Sequence, residues 1–456
     1  MSSLRAYIIV RTLLTIPMVL VLVTLVFVIL RVMPGDPVRA IMRPGAPQEY
    51  INEIKHNLGL DRPLFFNFRG SSAVVIPETV VLRTGPSDDE EMVMLVEKGA
   101  ELAITDRVKT PQGDWLRLAT KPGFEGWVTP KKVDWLRRVS FHFSPLKSEE
   151  KPGGEWVRIR IESFGLEGWA PAEHFQIKVN IFDSQYFNYL LSLLRLDLGT
   201  SIAPVRGRPV ATDLKDKFPA TLELSIFSMI VTVIIGVSTG AYAAHKRRSI
   251  ADYGLRIYSI VIYALPVFWL GLMLQLIFGV YLGWFPVAGR IGTRLAPHKI
   301  TGLFVLDSIL THNWASLKSA LEHLALPSFT LGLYLSGVFT RLTRANMLDV
   351  LRQDFITAAR ARGIPERIVV YKHALKNAFI PILTMLGLQF ALLLGGAVLT
   401  ETTFSWPGMG RFLVERITYR DFPSIQGGVV FFALLVAAVS LIVDVIYAYL
   451  DPRIRY

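Results

Sequence analysis

Uncharged apolar blocks alternate with polar, often basic, segments along most of this chain. The blocks cover residues 12–30, 224–244, 257–288, 324–340, 377–400 and 422–443. A bilayer core of about 30 Å requires roughly 20 apolar residues per helix, so the pattern predicts an α-helical polytopic membrane protein with six transmembrane helices. The third block either overruns the membrane or turns near Gly283. The fourth block is short and must include flanking residues.

Residues 69–183 have a different pattern, in which short apolar runs are separated by Gly, Pro and Asp clusters. Such runs are typical of short strands in a small all-β unit. An internal repeat supports this interpretation. The run Gly-Asp-Trp-Leu-Arg-Leu from Gly113 recurs as Gly-Glu-Trp-Val-Arg-Ile from Gly154, and Glu-Gly-Trp from Glu125 recurs from Glu167. The two copies are offset by 41 or 42 residues, and repeats of this length indicate duplicated structural units.

These patterns divide the chain into three parts. Residues 1–68 hold the first transmembrane helix and the start of an external loop, residues 69–183 form the β insert, and residues 184–456 carry the other five helices. The first apolar block is too long for a cleaved signal peptide, and no small-residue cleavage site follows it, so we expect it to remain in the membrane.

Composition agrees with a membrane protein, since 52% of the 456 residues are hydrophobic, 19% are charged and the mean hydropathy is +0.41. The absence of cysteine excludes disulfides, thiol catalysis and Cys-based metal sites. The net charge of +12 arises from basic residues at helix ends. Because Lys and Arg collect on the cytoplasmic side, both termini are expected there, with the insert outside. Nucleic-acid binding is disfavoured, since the basic residues are dispersed among loops.

A short amphipathic segment separates the fourth and fifth apolar blocks. Its alanines favour a helix, Gly363 can adopt the left-handed conformation that ends it, and Pro365 suits the first turn of the next helix. Four apolar positions then follow at helical spacing, with basic side chains around them. The apolar positions are Ile364, Ile368, Tyr371 and Leu375, and the basic ones are Arg360, Arg362, Arg367 and Lys372. Such a segment fits a groove of a partner protein or, as an ordinary basic loop, lies on lipid headgroups.

A series of short motifs occurs in order outside the insert. They begin at Pro34 (PGDP), Leu58 (LGLDRPL), Leu196 (LDLGTS), Phe218 (FPATLEL), Pro266 (PVFWLG), Thr357 (TAARARG), Lys372 (KHALKNA), Phe404 (FSWPGMG) and Asp451 (DPR). This series resembles the permease subunit of binding-protein-dependent ABC importers in the dipeptide, oligopeptide and nickel group. The resemblance implies a fold like that of type I importer permeases and a cargo of di- or oligopeptides, with nickel as the alternative.

The same resemblance implies partners and excludes an enzyme. It implies a second homologous permease, two ATPase subunits, an extracytoplasmic solute-binding protein and the lipid of the inner membrane, with no nucleic acid. No Gly-x-x-x-x-Gly-Lys loop occurs in the chain, so ATP and Mg are expected on the ATPase subunits and no cofactor on this chain.

The resemblance also assigns the amphipathic segment to ATPase coupling. The family pattern of Glu-Ala-Ala, three residues and Gly is matched by Thr357, Ala358, Ala359 and Gly363, with Thr in place of Glu. Lys376 stands where the wider superfamily often has Pro. The implied coupling residues are Thr357, Ala358, Ala359, Arg360, Arg362, Gly363, Ile364, Pro365, Arg367, Ile368 and Tyr371.

The insert resembles a bacterial SH3-like domain, on the runs from Val81 (VLRTGPS), Glu97 (EKG), Gly113 and Glu125. The second copy matches only the latter half, so the insert holds one and a half to two repeats. Its tryptophans either form a ligand groove or pack in the core: Trp115, Trp127, Trp156 and Trp169. An alternative function follows, in which the chain is a membrane-anchored envelope sensor that acts through this insert.

A few single residues are further candidates. Pro266 should kink the third helix, either along the transport pathway or as shape alone. Asp444 is a pathway candidate or an interfacial residue paired with Arg341 or Arg344. Glu223 is expected to cap the first turn of the second helix. Three histidines near Asp307 have no regular spacing and predict no metal site: His298, His312 and His323.

Overall fold

A computed structural model describes residues 4–32, 60, 62–68, 72–111, 113–120, 124–128, 143–151, 154–161, 166–205 and 207–450. The chain forms two compact units, one of Met1–Met33 with Leu198–Tyr456 and the other of Pro34–Asp197. The second unit is wider than the predicted insert on both sides. The predicted motifs at Pro34 and Asp451, and part of the one at Leu58, lie outside the described residues.

Helices connected by loops form the described part of the first unit. Its helices are α1 (Leu4–Val32), α3 (Val210–Thr232), α4 (Ser238–His245), α5 (Ile250–Ala264), α6 (Val267–Leu274), α7 (Phe304–Leu310), α8 (Trp314–Val350), α9 (Asp354–Ala361), α10 (Glu366–Ile368), α11 (Leu375–Leu394), α12 (Val398–Thr403), α13 (Met409–Thr418) and α14 (Phe422–Leu450). Helix α2 (Gln185–Leu194) belongs to the second unit. Wider π-helical turns occur at Val233–Val237, Gln275–Tyr281 and Val369–Ala374.

Four helical stretches of the described chain are long and apolar enough to cross a membrane, namely Thr12–Ile29, Val210–His245, Glu366–Leu394 and Phe422–Val443. A fifth crossing results if α5 and α6 with its following π turn count as one span. These stretches correspond to five of the six predicted blocks. The count of six remains a prediction.

The predicted fourth block lies within α8, a helix of 37 residues. This helix packs against α3, α4, α5, α6 and α11. Its buried face carries hydroxyl residues, including Ser328, Ser336 and Thr340, and the hydroxyls of Thr239 and Thr340 are 2.7 Å apart. Because protein rather than lipid surrounds this face, α8 does not need the uniform apolarity of a lipid-exposed span.

The predicted third block is not one kinked helix. Helices α5 and α6 meet at an angle of 101°, across Leu265 and Pro266, and Pro266 lies outside α6 as its N-cap, with φ −59° and ψ 130°. Proline disfavours helical geometry in the preceding residue. The expected kink is therefore a complete break, which divides the block into two short helices.

The second unit holds a single antiparallel sheet. Its strands are β1 (Ser72–Val75), β2 (Thr79–Arg83), β3 (Met92–Glu97), β4 (Glu101–Thr110), β5 (Gly113–Ala119), β6 (Glu125–Val128), β7 (Phe143–Lys151), β8 (Gly154–Ile161), β9 (Glu167–Pro171) and β10 (Phe175–Lys178). Their order in the sheet is β10-β1-β4-β5-β9-β2-β3-β6-β8-β7. Inward-facing side chains such as Leu82, Leu118 and Ile159 form its core.

The two sequence repeats exchange strands within this sheet. Strand β5 of the first copy pairs with β9 of the second, and β8 of the second pairs with β6 of the first. The registers are equivalent, because Leu118 faces Gly168 in one pair and Ile159 faces Gly126 in the other. Neither copy completes its sheet alone, so the repeats form one interlocked unit rather than two separate barrels.

Candidate functional site

The segment that contains Gly363 forms a bend supported by a buried apolar cluster. Ile356 and Ala359 of α9 are buried, as are Val369 and Val370 after the bend. They pack with Ala241 and Ala244 of α4 and with Met347 and Val350 of α8. The bend is therefore packed directly against α4 and α8, and close-packed side chains of this kind resist deformation.

The bend itself is a Schellman motif. The amide of Ile364 donates to the carbonyl of Ala359 at 3.3 Å, and that of Gly363 donates to Arg360 at 2.9 Å. Gly363 has φ +73°, as expected for the glycine that ends a helix. The predicted left-handed Gly363 is thus present. Pro365, predicted in the first turn of the next helix, is instead its N-cap residue.

A bidentate ion pair closes the bend. The Nε and Nη2 atoms of Arg360 donate to the two carboxylate oxygens of Glu366 at 3.1 and 2.7 Å. This hydrogen bonding raises the pKa of Arg360 above its ordinary value. Arg360, predicted as a donor to a partner, is therefore already engaged within the chain. Arg362 and Arg367 are exposed and form no ion pair within the described residues.

The outer surface of the bend is open to solvent. Thr357, Ala358, Arg362, Gly363 and Arg367 are all exposed. The predicted apolar stripe does not form one face of a regular helix, because the π-helical turn Val369–Ala374 shifts the angular position of each following residue. Tyr371 within this turn is 40% exposed, and Ile368, which directly precedes the turn, is 42% exposed. The site thus combines buried anchors with an exposed surface of basic, apolar and small residues.

Glu223 does not cap a helix. Helix α3 begins at Val210, so Glu223 lies in its interior. Its carboxylate accepts two hydrogen bonds from Arg290 at 3.0 and 2.7 Å and one from the amide of Val305 at 2.7 Å. Burial lowers the pKa of Arg290 below its usual value, and Glu223 opposes this shift. Sequence reasoning missed this pair, since the two residues are separated by 67 positions.

The motif at Phe404 is attached to α3 through buried polar contacts. Trp406 donates from Nε1 to the carbonyl of Ala220 at 2.8 Å. Thr221 donates to Glu401 at 2.7 Å and accepts from the amide of Met409 at 2.8 Å. Burial raises the pKa of the Glu401 carboxyl above its ordinary value, and hydrogen bonds from the Thr221 hydroxyl and the Arg411 amide only partly oppose this shift. In the sequence this motif is evidence only for the family resemblance and gives no sign of the buried carboxylate of Glu401.

The histidines do not form a metal site among the described residues. The carboxylate of Asp307 accepts hydrogen bonds from the backbone amides of Ile300, Thr301 and Gly302. Burial would raise the pKa of Asp307, but these bonds and the hydroxyl of Thr301 outweigh it and hold that pKa below its ordinary value. His323 is hydrogen-bonded to the carbonyl of Ser319 in its own helix.

The remaining candidates are only partly described. The backbone of Asp444 lies in α14, and its side chain lies outside the description. Arg344, one of its predicted partners, binds Asp252 through two hydrogen bonds at 2.6 and 2.9 Å. Arg341, the other predicted partner, lies over the ring of Tyr263.

The four tryptophans do not form an open groove as a set. Trp115 is 2% exposed and therefore part of the core. Trp169 is half-buried, with Arg117 5.9 Å from its ring centre. Trp127 and Trp156 lie in paired strands, but their side chains are outside the description. The interpretation as core holds for Trp115, and a ligand contact remains a prediction for the other three.

Comparison with known proteins gives a consistent result. The family model described as "Binding-protein-dependent transport system inner membrane component" matches residues 236–456, and its N-terminal companion matches residues 4–84. The dipeptide transport system permease protein DppB of Alkalihalophilus pseudofirmus is 44% identical over 272 residues, which cover 60% of this chain and 81% of that relative.

Two further matches are more distant. The glutathione transport system permease protein GsiC of Salmonella typhi is 40% identical over 272 residues, or 60% of this chain and 79% of that relative. A structure of the inward-facing MetNI methionine ABC transporter covers 53% of this chain and 97% of its own, at 15% identity and a TM-score of 0.39. That structural likeness is too low to carry an argument. On the sequence matches, the chain belongs to the family of binding-protein-dependent transport system inner membrane components, which are non-enzymatic permease subunits of ABC transporters.

Proposed function

We propose that this chain is the permease subunit of an ATP-driven importer that moves di- or oligopeptides delivered by an extracytoplasmic binding protein. The observation that carries the proposal is the exposed bend at Gly363, whose buried side packs on α4 and α8. The cargo is inferred from relatives that are named for dipeptide and glutathione transport. Nickel, the alternative cargo, has no relative in its favour among those named here.

The bend provides a mechanism for coupling. ATPase subunits that close around ATP and Mg would press on Arg362, Gly363 and Arg367, and the anchors Ile356 and Val370 would transmit the movement to α4 and α8. Nucleotide can drive this change only if it binds one state of the assembly better than the other. Coupling therefore depends on close contact between the bend and its partner.

The arrangement in the membrane follows from charge. Basic residues near both termini, after α4 and around the bend favour a cytoplasmic position for all of these segments. If α8 is counted as a span, the chain crosses the membrane six times, which places both termini inside and the insert outside. We further propose that one copy of this chain pairs with a second homologous permease and that two ATPase subunits dock below them.

The insert retains its assignment as an SH3-like unit. Short antiparallel strands and the repeated Gly-Trp pattern support this proposal. The alternative role as an envelope sensor has no observation in its favour beyond the insert itself.

Substitution of Gly363 tests the coupling proposal. A Cβ at Gly363 would meet nothing within 4 Å, so Gly363→Phe places bulk outside the chain, at the partner surface. We expect the full complex to assemble in liposomes but to hydrolyse ATP with dipeptide uptake reduced at least tenfold. Gly363→Asn, which tolerates positive φ, should retain most uptake.

A matched control separates strain from docking. Gly99 in the insert also has positive φ, +80°, and open space around its Cβ. Gly99→Phe introduces comparable strain away from the bend and should leave uptake unchanged. Uptake at the original level in Gly363→Phe would contradict the assignment of the docking site. If the original chain takes up nickel but not dipeptide, the proposed cargo is wrong and the proposed docking site is unaffected.

A further inference from the structure

An exposed aromatic surface lies where the chain enters and leaves the insert. Rings from both segments touch in a chain: Phe66 lies 5.9 Å from Phe68 and 5.6 Å from Phe187, and Phe187 lies 4.8 Å from Phe182. We call these four residues the aromatic neck. Phe68 is 72% exposed and Phe182 is 62% exposed. Such large rings rarely remain in water as a contiguous patch without a function.

Helix α2 continues this surface. Phe187, Leu191 and Leu194 are spaced four and three residues apart, so they share one face of the helix. Leu194 is 81% exposed, and Leu196, which follows the helix, is equally open. Ser184 caps the N-terminus of this helix, because its hydroxyl oxygen accepts a hydrogen bond from the amide of Phe187 at 3.3 Å.

Backbone hydrogen bonds hold the neck together. The amides of Gln185 and Tyr186 donate to the carbonyls of Pro63 and Leu64 at 2.9 and 3.0 Å, and Asn67 donates to Ile181 at 3.0 Å. The rings are therefore presented by a fixed backbone rather than by a loose loop. A preordered surface loses less conformational entropy when it binds.

The neck has almost no charge. Residues 63–68 contain no charged side chain, and residues 179–194 contain only Asp183, which is paired with Arg62 at 2.9 Å. Protein interfaces usually surround their apolar centre with a polar rim. An uncharged aromatic and leucine-rich face is instead typical of segments that lie in the interfacial layer of a bilayer.

Chain continuity indicates which surface covers the neck. Leu198, two residues after Leu196, packs against Gly427 of α14, and α14 contains a candidate membrane span. The chain thus passes from the exposed leucines to a membrane helix with only Asp197 between. We propose that the aromatic neck and the apolar face of α2 lie in the interfacial layer of the bilayer, on the side that carries the insert.

Single-cysteine spin labelling tests this proposal, because the chain has no cysteine of its own. The variants Phe182→Cys and Leu194→Cys are labelled in the full-length chain, assembled with its partner subunits in phosphatidylethanolamine and phosphatidylglycerol liposomes. Met92→Cys is the matched control, since Met92 is a large apolar residue of the sheet that is 47% exposed. Collision rates with lipid-soluble oxygen and with a water-soluble nickel chelate are then measured.

The labels at positions 182 and 194 should collide more often with oxygen than with the nickel chelate, and the label at position 92 should show the reverse. The proposal would be overturned if the labels at 182 and 194 behave like the label at 92. It would also be overturned if both are shielded from both reagents, because that would indicate a protein partner. Phe68→Cys provides a third position if either variant fails to assemble.

Discussion

At the scale of single residues, buried charges organise the part of the chain near Trp406. Arg290 joins Glu223 of α3 to the loop before α7 and donates to the carbonyl of Gly302 at 2.8 Å. Its guanidinium lies 3.8 Å from the ring centre of Phe304. Every donor of such a pair must be satisfied when water is excluded. One arginine thereby fixes several segments that are distant in sequence.

Removal of Arg290 alone should be strongly destabilising. Arg290→Met leaves the buried carboxylate of Glu223 without its cation, which costs about 3–5 kcal/mol. We expect a clear drop in the thermal denaturation midpoint of the detergent-solubilised complex. The double variant Glu223→Leu with Arg290→Met should recover part of the loss, because no charge remains unpaired.

The control for this prediction is Lys318→Met. Lys318 and Glu322 form an exposed pair at 3.9 Å, and such pairs contribute about 0–1 kcal/mol. If the thermal denaturation midpoint of Arg290→Met is no lower than that of Lys318→Met, the buried pair contributes no more to stability than an exposed pair, and the prediction is wrong.

Asp307 should make stability depend on pH. Its folded-state pKa is lowered, so its contribution is present above the unfolded pKa of about 3.9 and is lost as pH falls through the folded value. Asp307→Asn should cost about 1–3 kcal/mol at neutral pH, and the difference from the original chain should shrink in acid. Denaturation midpoints measured from pH 7 down to about pH 2, below the unfolded pKa of about 3.9, test this. Glu322→Gln, an exposed change, should show no such trend.

At the scale of elements, close packing and helix breaks decide what hydropathy alone does not. Glycines allow close approach of helices, since a Cβ at Gly337 would come within 2.6 Å of Ile262 and one at Gly387 would collide with Val443. Pro266 ends one helix and starts another rather than bending a single span. The π-helical turn Val369–Ala374 after the bend interrupts the regular helical spacing of the predicted apolar stripe, and Ile368 and Tyr371 are exposed.

The strands of the insert show a similar limit. Spacing of Trp and Gly residues predicted the strands and their duplication, and both are present in the sheet. Which strand pairs with which depended on non-local contacts, because β5 could pair with β6 or with its equivalent β9. Both β6 and β9 begin with the same Glu-Gly-Trp run, so the local sequence does not distinguish the two possible partners.

At the scale of the whole molecule, the insert is a self-contained addition to a transport subunit. Its core residues pack among themselves, and the relatives match about 60% of this chain. The amide of Asn67 lies 3.0 Å from the carbonyl of Ile181, so the two ends of the insert already meet. Evolution could therefore add such a unit without a change in the helices.

Excision of the insert should leave the membrane unit intact. We expect a chain in which a short Gly-Ser linker replaces residues 69–179 to accumulate in the membrane and to assemble with its partners, with its denaturation midpoint within a few degrees of the original. Size-exclusion chromatography and thermal denaturation of the purified complex measure this. Failure to assemble, in the presence of normal synthesis, would show that the helical unit requires the insert.

The sequence by itself determined the membrane class, the β insert with its repeat, the left-handed Gly363 and the family, because these depend on local hydrophobicity, backbone preference and motif order. Only the tertiary structure decided the partners of Glu223, Asp307, Arg360 and Glu401, the exchange of strands, and the surface position of Ile368. Those outcomes depend on contacts between residues far apart in the chain, and local sequence contains no record of which distant group completes a buried charge or a sheet edge.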